Sequence, residues 1–429
     1  MNQRPLTVVL IVPTGVGASI GGFAGDALPV ARAIAQISDT LITHPNVLNG
    51  AQLYWPIPNA LYVEGYALDK FAAGCWGLQP VHQNRIGLIL DAGIEPDLQL
   101  RHLQAVDAAR ATLGLNITDW VLTDRPLQVE LRISQSGASW GTIGNPDSLL
   151  RAAQKLIELA RVEAIAVVAR FPDDEGSLAL ENYRRGKGVD PLAGAEAVIS
   201  HLVVRTFKIP CAHAPALSAL PLDPHLSPRS AAEEIGYTFL PCVLAGLGKA
   251  PQFVTPTVGQ ASCLSQFVTP TVGQASCLSQ FVTPTVGQAS CLSQVLGGQD
   301  ARTQVLGGQD ARTQVLGGQD AHPTREKFYA NRRDFQSQDL WADRVDAVVI
   351  PTTACGGSAI LSLSGRSSVQ IIAVGDNKTQ MQATPEKLGI KALQVNSYLE
   401  AIGVLVALRA GISPASLGAD ISSLRCLSD

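Results

Sequence analysis

The chain has 429 residues, of which 46% are hydrophobic and 16% charged, with a net charge of −4. That length suits one large domain or two of ordinary size with a sizeable core. The charge balance argues against nucleic acid or an anionic membrane as the main partner, because both call for a basic surface.

Residues 7–26 read TVVLIVPTGVGASIGGFAGD. Thr7 to Val12 is a β-favouring run of the kind found in a strand buried on both faces, and Pro13 ends it. Five glycines follow at positions 15, 17, 21, 22 and 25, then an amphipathic helix over about Asp26 to Gln36. Strand, glycine loop and helix N-terminus present backbone N–H groups to an anion. A small-ligand site is therefore expected at the carboxyl edge of an α/β sheet, with Thr14, Gly15, Gly17, Ser19, Gly21 and Gly22 as binding residues. The loop is neither a strict dinucleotide fingerprint, since Ile20 stands where the third glycine belongs, nor a Walker loop, since Lys-Ser/Thr is missing. No cofactor can be named from it.

Asp39 to Thr43 is the next strand, leading into His44-Pro45-Asn46 and Asn49-Gly50, a polar loop from which His44, Asn46 and Asn49 could hold a ligand. Tyr62 to Ala72 is expected as helix, Arg85 to Leu90 as strand, Pro96 to about Leu113 as helix and Asp119 to Thr123 as strand. Ser136 to Thr142 reads as a polar loop carrying Ser139 and Trp140. A helix follows to about Ala160, with Asn145 at the N-cap and Pro146 at the first position. Ala164 to Phe171 is a near-continuous apolar strand and Gly194 to Thr206 a helix. Cys211 and His213 stand two apart in an extended segment, where thiol and imidazole would share a face. Ser230 to Glu233 has the spacing of a capping box.

QFVTPTVGQASCLS then occurs three times unchanged, from Gln252, Gln266 and Gln280, and QVLGGQDART twice, from Gln294 and Gln304, with a drifting third copy from Gln314. Identical short copies are unlike solenoid repeats, which are longer and vary at surface positions. Residues 251–324 are expected to be a low-complexity insertion between a first core part, 1–250, and its continuation, 325–429, which could form a second lobe. The other reading pairs FVTPTV and CLSQFV as short strands.

After the insertion, Val345 to Ile350 is a strand running into Pro351-Thr352-Thr353-Ala354-Cys355-Gly356-Gly357, and Val369 to Val374 is another. This second loop echoes the first in its Pro, Thr and Gly order, so Thr352, Thr353, Gly356 and Gly357 join the ligand-binding candidates. Both loops would leave the same edge of a parallel sheet and share a crevice if their strands are neighbours. Cys355, after a strand and before a helix, is a candidate nucleophile. Cys211 and His213 complete the catalytic candidates. Tyr398 to Ala410 is the last helix.

Strand and helix alternate throughout, which argues for an α/β fold with a mostly parallel sheet covered on both faces. No HExxH motif or paired Cys/His spacing exists for zinc, so no metal site is expected. The N-terminal apolar run lacks a cleavage site and no apolar stretch reaches the roughly 18 residues of a membrane span. Eight cysteines, three of them in repeats, show no CxxC spacing. These features lead to the expectation of a cytoplasmic protein with reduced thiols and no membrane partner.

The phrases VPTGVGASIGGFAGDA, LITHPNVLNGA, SGASWGTIG, VISHLVVRTFKIPCAHAPAL and PTTACGGSAIL resemble a bacterial family known as domain of unknown function 3326. The resemblance covers nearly all of residues 5–250 and 325–425 and leaves out the repeats. It implies a full-length fold and brings no activity with it. The leading functional expectation is an enzyme acting on a small anionic metabolite, a carboxylate or phosphate, across the glycine loops, with Cys355 assisting. The alternatives are a non-catalytic metabolite-binding or regulatory protein using the same crevice, or a structural partner. The oligomeric state is open.

Overall fold

A computed structural model describes residues 4–173, 176–256, 339–419, 421 and 423. It contains a six-stranded sheet, a four-stranded sheet and two small two-stranded ones. The strands are β1 (Thr7–Leu10), β2 (Thr40–Thr43), β3 (Ala60–Tyr62), β4 (Gly77–Gln79), β5 (Ile86–Leu90), β6 (Ile117–Leu122), β7 (Val129–Ile133), β8 (Ser139–Ile143), β9 (Ala164–Arg170), β10 (Cys211–Ala216), β11 (Gln252–Val254), β12 (Ala347–Pro351), β13 (Gln370–Val374) and β14 (Leu393–Val395).

The larger sheet runs β14-β13-β12-β1-β2-β3 and every pairing in it is parallel. The smaller runs β10-β9-β5-β6, also all parallel. The expected α/β architecture is therefore present, as two parallel sheets. Strands buried on both faces need apolar residues at successive positions, not alternate ones. TVVL of β1, IGLIL of β5 and AVVIP of β12 are buried at every position. Two apolar clusters form the core. One includes Val9, Phe71 and Val348, and the other Leu10, Leu88 and Val349, so alternate residues of one strand serve opposite faces.

In both sheets the first strand of the unit lies inside, with later strands added on either side. In the larger sheet β2 and β3 extend one way from β1, and β12, β13 and β14 the other. The point of divergence is between β1 and β12, which pair directly from Val8–Ala347 to Leu10–Val349. The two echoing loops therefore do leave adjacent strands.

Several local expectations are corrected. Tyr62 ends β3, and the helix begins only at Gly65. Residues 136–142 are not a free loop but the turn and second strand of the antiparallel β7–β8 hairpin. β8 packs against the Ala193–Phe207 helix so closely that a Cβ on Gly194 would lie 2.2 Å from Trp140 Cα. Asn145 occupies the N-cap of the Pro146–Lys155 helix without capping it; its amide donates to Pro126 O at 2.7 Å. Ser230 likewise makes no capping bond and donates to Tyr183 O instead. Gln252 to Val254, the opening of the first repeat, form β11 against β4, where Phe253 is buried and stacks on Trp76. The fold thus extends at least to Val254. The remaining repeats fall in 257–338, outside the described residues.

Candidate functional site

The carboxyl ends of the two parallel sheets meet around a cavity of about 180 Å³. Thr14 and Ala24 reach it from the glycine loop, His44, Asn46 and Asn49 from the segment after β2, and Glu64 from the end of β3. From the other sheet come His213 of β10 and, on the Ala193–Phe207 helix, Glu196, Ser200 and His201. Asp190, Tyr183 and Glu233 close the remaining wall. Five candidates expected from sequence, Thr14, His44, Asn46, Asn49 and His213, are thereby gathered around one space.

His213 is the best-placed proton carrier. Its Nδ1 lies 3.1 Å from Ser200 Oγ and its Nε2 3.6 Å from Glu196 Oε2. Glu196 and Ser200 are four residues apart on one helix, so they stand on the same face one turn apart and flank the imidazole. Ser200 Oγ can donate to Ala197 O at 3.4 Å. With that proton placed, Ser200 accepts from Nδ1–H and leaves Nε2 to exchange a proton on the Glu196 side.

Three carboxyls converge nearby. Asp190 accepts from the N–H of Leu192 at 2.8 Å. Burial, followed by the charges of Glu233 and Glu196, pushes its carboxyl well above the usual range. Glu233 accepts from Ala24 N at 3.1 Å and from the Tyr183 hydroxyl. Burial is also the largest cause of its rise, to about 7. Carboxyls held together away from water retain protons at neutral pH and can donate them. A second buried pair, Glu64 and His201, stands beside them, with Glu64 also accepting from Tyr66 N and Ala67 N as the N-cap of the Gly65–Ala72 helix. Asp69, on the same helix, feels both.

His44 is neutral in this setting. Its Nε2 accepts from Val12 N–H at 3.1 Å, and complete burial lowers it to about 4. The proton of the neutral ring is then on Nδ1. Asn46 donates to Gly21 O at 2.7 Å, and Asn49 accepts from the Tyr62 hydroxyl at 3.1 Å.

The glycine loop is largely occupied by the protein itself. Gly21 N–H binds the Asp26 carboxylate and Ala24 N–H the Glu233 carboxylate. Ser19 N and Ile20 N are held by Lys378 O and Asn377 Oδ1 at 2.9 Å each. The anion-seeking donors at these positions therefore already hold internal acceptors. Gly15 and Gly17 allow close packing: both have positive φ, and a Cβ would lie 2.6 Å from Ser139 Oγ and 3.0 Å from Gly188 O respectively. A Cβ on Gly22 would lie 2.2 Å from Ala18 O. Ser139 is fully buried and clamps the same region, accepting from Gly194 N at 3.1 Å while its own N–H donates to Gly15 O.

In the second loop Thr353 Oγ1 lies 2.8 Å from Thr379 Oγ1, and Thr352 N donates to Val374 O. Gly356 and Gly357 line a separate, smaller cavity. Cys355 is fully buried, with Sγ 3.6 Å from Thr352 O and 3.7 Å from Pro351 O, and burial pushes its thiol up to about 12. An activated thiol needs the reverse, an exposed and electropositive setting. Cys211 is buried in the core, with its thiol raised well above normal by burial and then by Glu64. The roles expected for these two thiols lack the environment they require, and the imidazole of His213 is served by Ser200 and Glu196.

The residues missed from sequence are Glu64, Asp190, Glu196, Ser200, His201 and Glu233. Only one stretch carried a legible signal: Glu196, Ser200 and His201 interrupt AGAEAVISHLVV, an otherwise apolar helix, with Glu196 and Ser200 one turn apart on a single face. Among the described residues, no group of three or more His, Cys, Asp or Glu is arranged to hold a metal ion, and no helix is long and apolar enough to cross a membrane.

The family model described as protein of unknown function (DUF3326) matches residues 7–316 and 312–418, reaching into the repeats that the resemblance was expected to leave out. The chain belongs to this family. It is 50% identical over 417 residues, covering 97% of this chain and 94% of the other, to a Synechococcus sp. protein named an uncharacterized lipoprotein. That finding corrects the expectation of a cytoplasmic protein, since a relative this similar over nearly the whole length carries the name of a membrane-anchored class. No solved structure matches.

Proposed function

We propose that this member of the DUF3326 family is an enzyme that transfers protons to and from a small organic molecule held between its two sheets. The observation that carries this reading is His213, fixed between Ser200 and Glu196 in a cavity whose facing carboxyls, Asp190 and Glu233, are held above their usual range. General acid–base catalysis works best when donor and acceptor groups titrate near the working pH. Glu233, at about 7, meets that condition. His213 is the exchanging base, Ser200 fixes its tautomer, and the carboxyl group stands ready as the acid.

The substrate class shifts from the anion expected of a glycine loop. No lysine or arginine is among the described residues lining the cavity. Arg170 and Arg184, near its margin, are committed to Glu95 with Asp173 and to Glu234. An uncharged or cationic polar molecule is the better match for carboxyls, amides and neutral imidazole. Carrying the relative's lipoprotein name to this chain, the site would work outside the cytoplasm at a membrane. The same name favours a second reading, a membrane-anchored binding protein that uses the cavity without turnover.

One experiment separates the two. Thermal-shift screening of neutral, cationic and anionic metabolite pools identifies ligands, and each hit is followed for solvent deuterium uptake by NMR. An enzyme exchanges a substrate proton for deuterium in the wild type and loses that exchange in His213→Gln while still binding. Ligands that bind both forms without exchange leave the binding-protein reading in place. Protection by anions alone would remove the substrate class.

A further inference from the structure

The point of divergence in the larger sheet, between β1 and β12, carries a second cavity of about 50 Å³. Loops that leave adjacent strands in opposite directions open a crevice there, and in open α/β sheets this is where ligands gather. The walls are apolar, formed by Ile11, Val16, Leu68, Ile350, Ile360 and Met381. Asp69 of the Gly65–Ala72 helix is the one ionisable group among the described lining residues, and it is 8% exposed. The backbone N–H of Ala359 donates to its carboxyl, while Oδ2 is buried without a hydrogen-bond partner. Buried polar atoms are nearly always satisfied, and the charges that reach this carboxyl, His201 and Lys70 favouring its ionised form and Glu64 opposing it, are outweighed by its burial.

We propose that this cavity is a second ligand site, distinct from the one between the sheets, and that it takes an ammonium ion or a short primary amine. The N–H groups of the cation satisfy Asp69 Oδ2, and a short alkyl part rests on the apolar wall. Size limits the occupant. One water needs roughly 10–15 Å³ of such space, so about four non-hydrogen atoms fit. A branched quaternary ammonium is too large and has no N–H to donate. Binding also carries a proton signature. Burial raises Asp69 to about 7, so below neutrality a cation must displace a proton from the carboxyl.

The test is calorimetric titration of the full chain with methylammonium chloride at pH 8, repeated down to pH 5.5. Saturable binding is expected, weakening about tenfold per pH unit well below 7. Ammonium chloride should bind in the same way and compete. Tetramethylammonium chloride, methanol and potassium chloride at matched ionic strength should give no saturable heat. Asp69→Asn should abolish binding, and His213→Gln, in the larger cavity, should retain it. Absence of saturable binding at pH 8 overturns the proposal, as does equal binding of potassium or tetramethylammonium. If Asp69→Asn does not fold, the wild-type pH series decides: affinity that does not change between pH 8 and 5.5 excludes Asp69 as the partner. Failure of this site leaves the proton-transfer reading untouched, because deuterium exchange at His213 is measured independently.

Discussion

His44 provides a direct measure of how dry the floor of the large cavity is. Its imidazole accepts from Val12 N–H and is lowered from 6.5 to about 4 by burial. The folded protein therefore holds it neutral across a range in which the unfolded chain protonates it. Since the unfolded state binds more protons, stability falls as pH drops from about 6.5 towards 4 and levels off below. A tenfold difference in proton affinity between the folded and unfolded chain is worth about 1.4 kcal/mol, so the full loss is about 3 kcal/mol, with about 2.5 kcal/mol gone by pH 4.5. His44→Gln is the appropriate control, because its side-chain oxygen can still accept from Val12 N–H but does not titrate. Urea unfolding of both proteins should be compared between pH 7.5 and 4.5. The stability of the wild type relative to the variant should fall by about 2.5 kcal/mol across that range. Other buried acids titrate in both proteins, and their effects cancel to the extent that they do not couple to His44. A difference constant to within about 0.5 kcal/mol would refute the reasoning, as would an NMR titration of His44 centred near 6.5.

Asp69 has the opposite sign. Its raised carboxyl makes the folded state bind more protons between about 4 and 7, so stability is lost as pH rises through that range. Asp69→Asn should gain about 2 kcal/mol over wild type at pH 8, after an unsatisfied amide offsets part of about 4 kcal/mol, and should be about 1.5 kcal/mol less stable than wild type at pH 4, where only the amide cost remains. Gly194→Ala should cost about 3 kcal/mol or more by chemical denaturation, because the new methyl meets the Trp140 backbone and not a movable side-chain end. Phe253→Ala should cost about 3 kcal/mol if β11 is part of the folded unit; an unchanged midpoint would return the start of the first repeat to the insertion. With iodoacetamide at pH 7.5 the exposed Cys75 should alkylate well before Cys355, which should react only on unfolding.

The fold is more legible in the sequence than the site, for a physical reason. Strands buried on both faces are written as apolar runs, so β1, β5, β9, β12 and β13 can be read directly. The short β3, β4 and β14, three residues each, are too brief to show a period, and the β7–β8 hairpin carries Arg, Glu and Ser at positions that look like loop. His44, Asn46 and Asn49 are legible because polar residues after a strand mark a sheet edge. Glu233 reads from sequence as a local capping residue because its partners, Ala24 N and Tyr183, lie 209 and 50 positions away. Asp190 likewise gains its character from burial and then from Glu233 and Glu196. The thiols mislead because a strand-to-helix position says nothing of depth, and depth raises a thiol where a helix terminus would lower it.

The Gly65–Ala72 helix holds Glu64 at its N-cap against the larger cavity and Asp69 against the smaller one. Five residues span about 7.5 Å of helix axis. At that separation two charges interact by on the order of 1–2 kcal/mol in a partly buried setting, with His201 moderating the sum. The two chambers therefore feel each other's charge. Whatever neutralises Asp69 changes the field at the Glu64–His201 pair, and by reciprocity an occupant of the large chamber that changes the charge of that pair alters the small one by the same factor, several-fold to roughly thirtyfold. A metabolite too small to enter the large chamber would in this way act on the Glu64–His201 pair in its wall from the far side of a single helix.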